Sequence, residues 1–169
     1  EAFAAREVVL CAPGIALNFA LDHPARVRRL VLLSPALVAW EWSEDWKALW
    51  QPIVASARAG AMDEARWLWW QHPLFATTRE SAAGPALFDS IMRFSGAQWL
   101  GDAHRPMLPD VERLGLLQAR TLLLTGGRDL GDFRLIAALI EAGAPQVQRI
   151  DQPALGHMLH LEDPAGCAR

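Results

Sequence analysis

Tyrosine is absent from this 169-residue chain, and cysteine is limited to Cys11 and Cys167. The two cysteines stand at opposite ends and form no metal-type spacing, so a reduced, cytoplasmic protein is the default expectation. No apolar run is long enough to span a bilayer and no leader segment is recognisable, which argues against a membrane partner. The net charge is −3 and the 16 basic residues are scattered, without a stripe or a tail. Nucleic-acid binding therefore has no electrostatic footing. There is no His-Glu-x-x-His run, no Gly-x-Gly-x-x-Gly and no phosphate loop, so neither a metal nor another cofactor is expected. His160-Leu161-Glu162 matches His-x-Glu, but the Pro-Cys-x-x-Cys that zinc deaminases place downstream is missing, and the segment reads as a helix start. Among the other histidines, His23 ends a helix, His72 precedes a proline, and His104 lies in a polar loop.

What is present is an apolar chain, at 52%, with enough material for one buried core and an insertion. Val8-Val9-Leu10-Cys11 reads as a buried strand stopped by Ala12-Pro13-Gly14. Residues 15–21 read as a buried helix interrupted by Asn18, and Asp22-His23-Pro24 ends it. Arg29 to Leu33 is a second buried strand. Strand, helix, strand is a βαβ unit, so the strands should be parallel. The pattern returns near the end. A strand over 120–125 breaks at Gly126-Gly127, a helix comes next over 133–142, and a mixed-polarity strand over 147–150 suits a sheet edge. A last helix starts at Leu161 with acids in its first turn.

The middle, 36–116, is built differently and shows no convincing strand. All eight tryptophans fall between Trp40 and Trp99. Ser43 is a helix cap for a segment reaching about residue 59, Asp63-Glu64 opens a second helix, and 85–100 suggests a third. The fold class expected is α/β, with a core formed by 1–35 and 117–169 and a helical insertion at 36–116.

The segment from Phe19 to Leu33, with Asp22-His23-Pro24 and Leu30-Val31-Leu32-Leu33, resembles the helix and strand located after the nucleophile elbow in α/β hydrolases. Leu122-Leu123-Leu124-Thr125-Gly126-Gly127-Arg128-Asp129 is similar to the strand and turn carrying that family's triad acid. Gly156-His157-Met158, through Glu162 and Pro164, is similar to its histidine loop. The Trp-rich middle sits where the family inserts a cap, and Leu68 to Phe75 resembles cap segments of esterase- and lactonase-like members. The resemblance implies the C-terminal half of an α/β-hydrolase parallel sheet with an inserted helical cap. It also implies a hydrolase of ester or lactone bonds in an apolar acyl substrate.

On this resemblance His157 is the general base and Asp129 the acid that orients it, with Asp132 the second choice for the acid and the more natural helix cap. Trp69, Phe75 and Met92 would line the substrate pocket, while most tryptophans would pack helices. The family's Gly-x-Ser-x-Gly turn is missing; Leu10-Cys11-Ala12-Pro13-Gly14 stands in its place. Cys11 is the nearest nucleophilic side chain, and its other reading is a buried strand cysteine. The family's early strands are missing too. The expectation is a partial or damaged gene product, with a strand edge open to self-association. A non-catalytic half-domain is the competing reading.

Overall fold

The computed structural model of the chain describes residues 8–12, 15–101 and 108–168. Its strands are β1 (Val8–Ala12), β2 (Val27–Leu33), β3 (Arg120–Gly126) and β4 (Val147–Gln152). They form one sheet in the order β1-β2-β3-β4, and every pair is parallel. Parallel neighbours need crossovers. Helix α1 (Ile15–Asp22) supplies the first and helix α7 (Gly131–Gly143) the last. β4 ends the described sheet on one side, as its mixed polarity suggests.

Alternation within the strands decides which face is covered. Leu30, Leu32 and Leu123 are fully buried against Leu17 and Ala20 of α1 and Ile136, Ala137 and Ile140 of α7. Each leucine so buried contributes about 1.5–3 kcal/mol. Asn18, the one polar residue inside α1, is buried too. Its Nδ2 donates to Asp110 Oδ1 at 2.9 Å, and Asp110 Oδ2 accepts from the Val38 amide at 3.0 Å. Arg113 closes the group, with Nη2 at 2.9 Å from Asp110 and Nη1 at 2.5 Å from Asp22.

Between β2 and β3 the described residues form helices and connecting turns but no strand. Helix α2 (Glu44–Arg58) begins at Ser43, whose Oγ accepts from the Trp46 amide. Then come α3 (Met62–Gln71), α4 (Ala76–Glu80), α5 (Gly84–Arg93) and α6 (Ala97–Leu100). They make two apolar clusters of their own. Ile53, Ala57, Ala65 and Trp99 form one. Leu74, Phe75, Leu87 and Ile91 form the other, and Phe133 of α7 reaches across to join it.

Three expectations change. The helix expected over 85–100 is two helices, because Gly96 takes a left-handed φ of 69° between them. A Cβ there would come within 2.6 Å of Met62 Sδ and 2.7 Å of Trp99, so the chain turns where only glycine fits. The segment before β3, where Pro106, Pro109 and the acids around them suggest a plain loop, contains a 3-10 turn over Asp110–Leu116, with Asp110 and Leu114 as its buried residues. The terminal helix is also two pieces, α8 (Leu159–Glu162) and α9 (Pro164–Cys167). Pro164 starts the second because proline is pre-shaped for a first helical position, and the Asp163 side chain caps it. His104, the elbow turn at Pro13-Gly14 and the side chain of Cys11 lie outside the described residues.

Candidate active site

The C-terminal ends of parallel strands face one edge of the sheet, where α/β sites form. Two turns meet there. After β3, Asp129 is held by its own backbone: its N–H donates to Gly126 O at 3.2 Å, and its Oδ1 accepts from the Leu130 amide at 2.7 Å. That leaves Oδ2 directed at His157 Nδ1, 3.0 Å away. The Asp129 and His157 side chains are 3% and 15% exposed, so the pair is shielded from water. With Nδ1 carrying the proton and donating to the carboxylate, neutral His157 presents an unprotonated Nε2.

The histidine loop approaches β3 closely. Arg128 N–H donates to Leu155 O and Gly127 N–H to Gln152 O, each at 2.9 Å. A Cβ on Gly126 would run into the carbonyls of Leu155 and Gly156, which is why the glycine pair is needed here. The Phe133 ring lies 4.2 Å from the His157 ring, centroid to centroid. It gives the imidazole an apolar wall that composition did not reveal.

His157 opens onto a cavity of about 350 Å³. Trp69, Phe75, Leu87, Ile91 and Phe94 form its apolar wall, and Ser90 and Gln98 add polar groups. Trp69 and Phe75 are thus brought together with His157. Met92 packs on the same apolar cluster but is outside the cavity lining, because its neighbours Ser90 and Ile91 take the inward positions. Residues 87, 90 and 91 repeat at helical spacing along α5, a signal that the sequence carried without saying which side faced a pocket, while Phe94 and Gln98 join the wall from beyond that helix. A larger depression of about 600 Å³ crosses the exposed sheet face by Arg29, Arg120 and Gln148. It shares no residue with the His157 cavity and holds no acid–base pair.

Asp132 is committed elsewhere. Its carboxylate accepts from Ser43 Oγ at 2.6 Å, Ser43 N at 3.1 Å and Trp40 Nε1 at 3.2 Å. Burial pushes this carboxyl up, but those hydrogen bonds together outweigh it and hold the group below its usual range. Asp132 ties α7 to the start of α2, and the helix cap expected of it is not made; Leu130 occupies that position. His72 is a second buried imidazole. It is 2% exposed, its Nδ1 accepts from the Leu74 amide at 3.1 Å, and Trp46 and Trp69 lie 5.0 and 5.1 Å from its ring. Burial first, then the charges of Arg79 and His157, lower its pKa from 6.5 to about 4.

Cys11 lies one residue before the end of β1, in register with Val31 of β2. Its strand therefore points toward the same sheet edge as Asp129 and His157. Among the described residues no group of His, Cys, Asp or Glu side chains is arranged to hold a metal ion. No described helix is long and apolar enough to cross a membrane.

No protein-family model and no curated protein sequence matches the chain. Solved structures do match. A hydrolase from Pseudomonas aeruginosa superposes with a TM-score of 0.76 at 20% identity, over 99% of this chain and 65% of that one. MenH from S. aureus gives 0.73 at 21% identity, covering 95% and 64%. An N-acyl homoserine lactone degrading enzyme gives 0.69 at 20% identity, covering 98% and 66%. The chain spans just under two thirds of the length of each of these three structures. Parallel strands, helical crossovers, the two facing turns and these superpositions agree that the chain carries the C-terminal part of the α/β-hydrolase fold.

Proposed function

We propose that this chain supplies the acid–base half of a hydrolase acting on an ester or lactone bond of a small apolar acyl substrate. The observation that carries the reading is the shielded 3.0 Å contact between His157 and Asp129 at the mouth of an apolar cavity. His157 Nε2 takes the proton from a nucleophile as that nucleophile bonds to the acyl carbon. The same proton passes to the leaving oxygen when the ester bond breaks. Water then attacks the acyl-enzyme, giving its proton to Nε2, which returns it to the departing nucleophile. Asp129 keeps the imidazole in the required tautomer and stabilises the imidazolium. Trp69 and Phe75 seat the acyl group. The helices over 36–116 act as a cap that excludes bulk water. No cofactor takes part.

The nucleophile is the open position. Cys11 is the nearest candidate in the sequence. The competing reading is a non-catalytic half-domain that pairs through its open strand edge, and the missing Gly-x-Ser-x-Gly turn favours it. Hydrolysis of a short-chain 4-nitrophenyl ester by the chain and by His157→Ala separates the two. Turnover lost in the variant supports the pair acting with an unconventional nucleophile, and Cys11→Ala then tests the thiol. No turnover, or equal turnover in both, sinks catalysis by this chain.

A further inference from the structure

Glu162 gathers three donors from two separate parts of the chain. Its Oε1 accepts from Thr77 Oγ1 at 2.7 Å and Thr78 Oγ1 at 2.6 Å, residues 85 and 84 positions away. Its Oε2 accepts from the Gly156 amide at 2.7 Å. Hydrogen bonds to a carboxylate are about twice as strong as neutral ones. The pair of threonines lies on α4, and Thr78 is fully buried. Gly156 is the residue before His157. Thr77 packs so tightly on Gly156 that a Cβ there would run into its hydroxyl.

The histidine loop is thus gripped from two sides. On one side the β3–α7 turn holds it, through Arg128 on Leu155 and the bare backbone of Gly126. On the other side Glu162 holds the Gly156 peptide and anchors it to α4. Fixing that peptide fixes the direction in which His157 leaves the backbone. Asp129 then has only to meet a ring already in place.

We infer that Glu162 is a positioning residue for His157, locking the histidine loop to helix α4 through Thr77 and Thr78. The inference rests on the acid–base reading of His157 and Asp129 given above. It adds that the helical layer sets the geometry of the base as well as covering it.

The test is proton and ¹⁵N NMR of the whole labelled chain, tracking the His157 Nδ1–H resonance and the pH titration of that ring. In Glu162→Gln the amide oxygen can still accept from the threonines, but the amide nitrogen opposes the Gly156 N–H. The expected result is loss of the Nδ1–H resonance and a changed His157 titration, with the helical circular-dichroism signal retained. Thr77→Ser keeps its donor and should keep the resonance. Should Glu162→Gln fail to fold, Thr78→Val, which keeps the side-chain shape and removes a donor, decides by the same signal. A resonance and titration unchanged in these variants, with only the melting temperature lowered, overturns the positioning role. An Asp129→Ala variant tests the foundation separately: if it too leaves the resonance intact, the His157–Asp129 reading fails, whatever Glu162 does.

Discussion

Asn18 and Asp110, 92 residues apart in sequence, meet in the core across a 2.9 Å hydrogen bond. Asp110 is completely buried and also serves Val38 and Arg113. Removing it strands an amide side chain and a peptide N–H at once and leaves the Arg113 guanidinium with Asp22 alone. Breaking a buried pair from one side typically costs about 3–5 kcal/mol. Asp110→Ala should therefore lower the urea midpoint by the equivalent of at least about 3 kcal/mol. A change under about 1 kcal/mol would show that water replaces the lost partner, and the network would not be a keystone.

His72 predicts a particular pH dependence. Its folded pKa of about 4 lies below the ordinary 6.5. The unfolded chain therefore binds the proton more readily across that interval. Stability is at its full value above about pH 6.5 and declines as the pH falls toward 4, by roughly 3 kcal/mol in all. His72→Asn keeps an acceptor for the Leu74 amide and cannot titrate. Its melting temperature should fall less steeply than that of the parent between these two values. Parallel curves would assign the acid sensitivity to the carboxylates instead.

Gly156→Ala places a methyl group against the Thr77 hydroxyl, with the Thr77 Cβ 3.0 Å away. Overpacking of this kind costs typically about 1–3 kcal/mol, and here it strains the loop that carries His157. Thr77→Ala in the same chain removes the nearest obstacle and should restore part of the loss. A double-mutant cycle of chemical denaturation measures the coupling. Additive effects of the two substitutions would mean that the loop yields elsewhere.

The glycine pair at 126–127 and the Gly156-His157 dipeptide were readable as turn signals after strands, although what excludes a side chain at these glycines is the close approach of Pro153, Leu155 and Thr77. The parallel strands were readable too, since unbroken runs such as Leu122-Leu123-Leu124 suit burial on both sides. Asn18 was legible only as an interruption. Its partner lies 92 residues on, in the 3-10 turn before β3, and no local pattern points to Asp110. Sequence ranked Asp129 ahead of Asp132 as the acid only through the resemblance, since the two lie three residues apart around the start of α7. Three hydrogen bonds to Ser43 and Trp40 occupy the Asp132 carboxylate, whereas Asp129 Oδ2 faces His157. Met92 and Ile91 are adjacent on one helix, and a rotation of about 100° per residue decides which one meets the cavity.

Local chemistry along the chain determined the strands, most helices and the Ser43 cap. Those features depend on hydrophobic period and turn residues within a few positions of one another. Tertiary structure alone decided that Phe133 walls His157, that Glu162 joins α4 to the histidine loop, and that His72 is neutral between two tryptophans. Each of those depends on packing between segments far apart in sequence, where burial and hydrogen-bond geometry, rather than residue type, set the outcome.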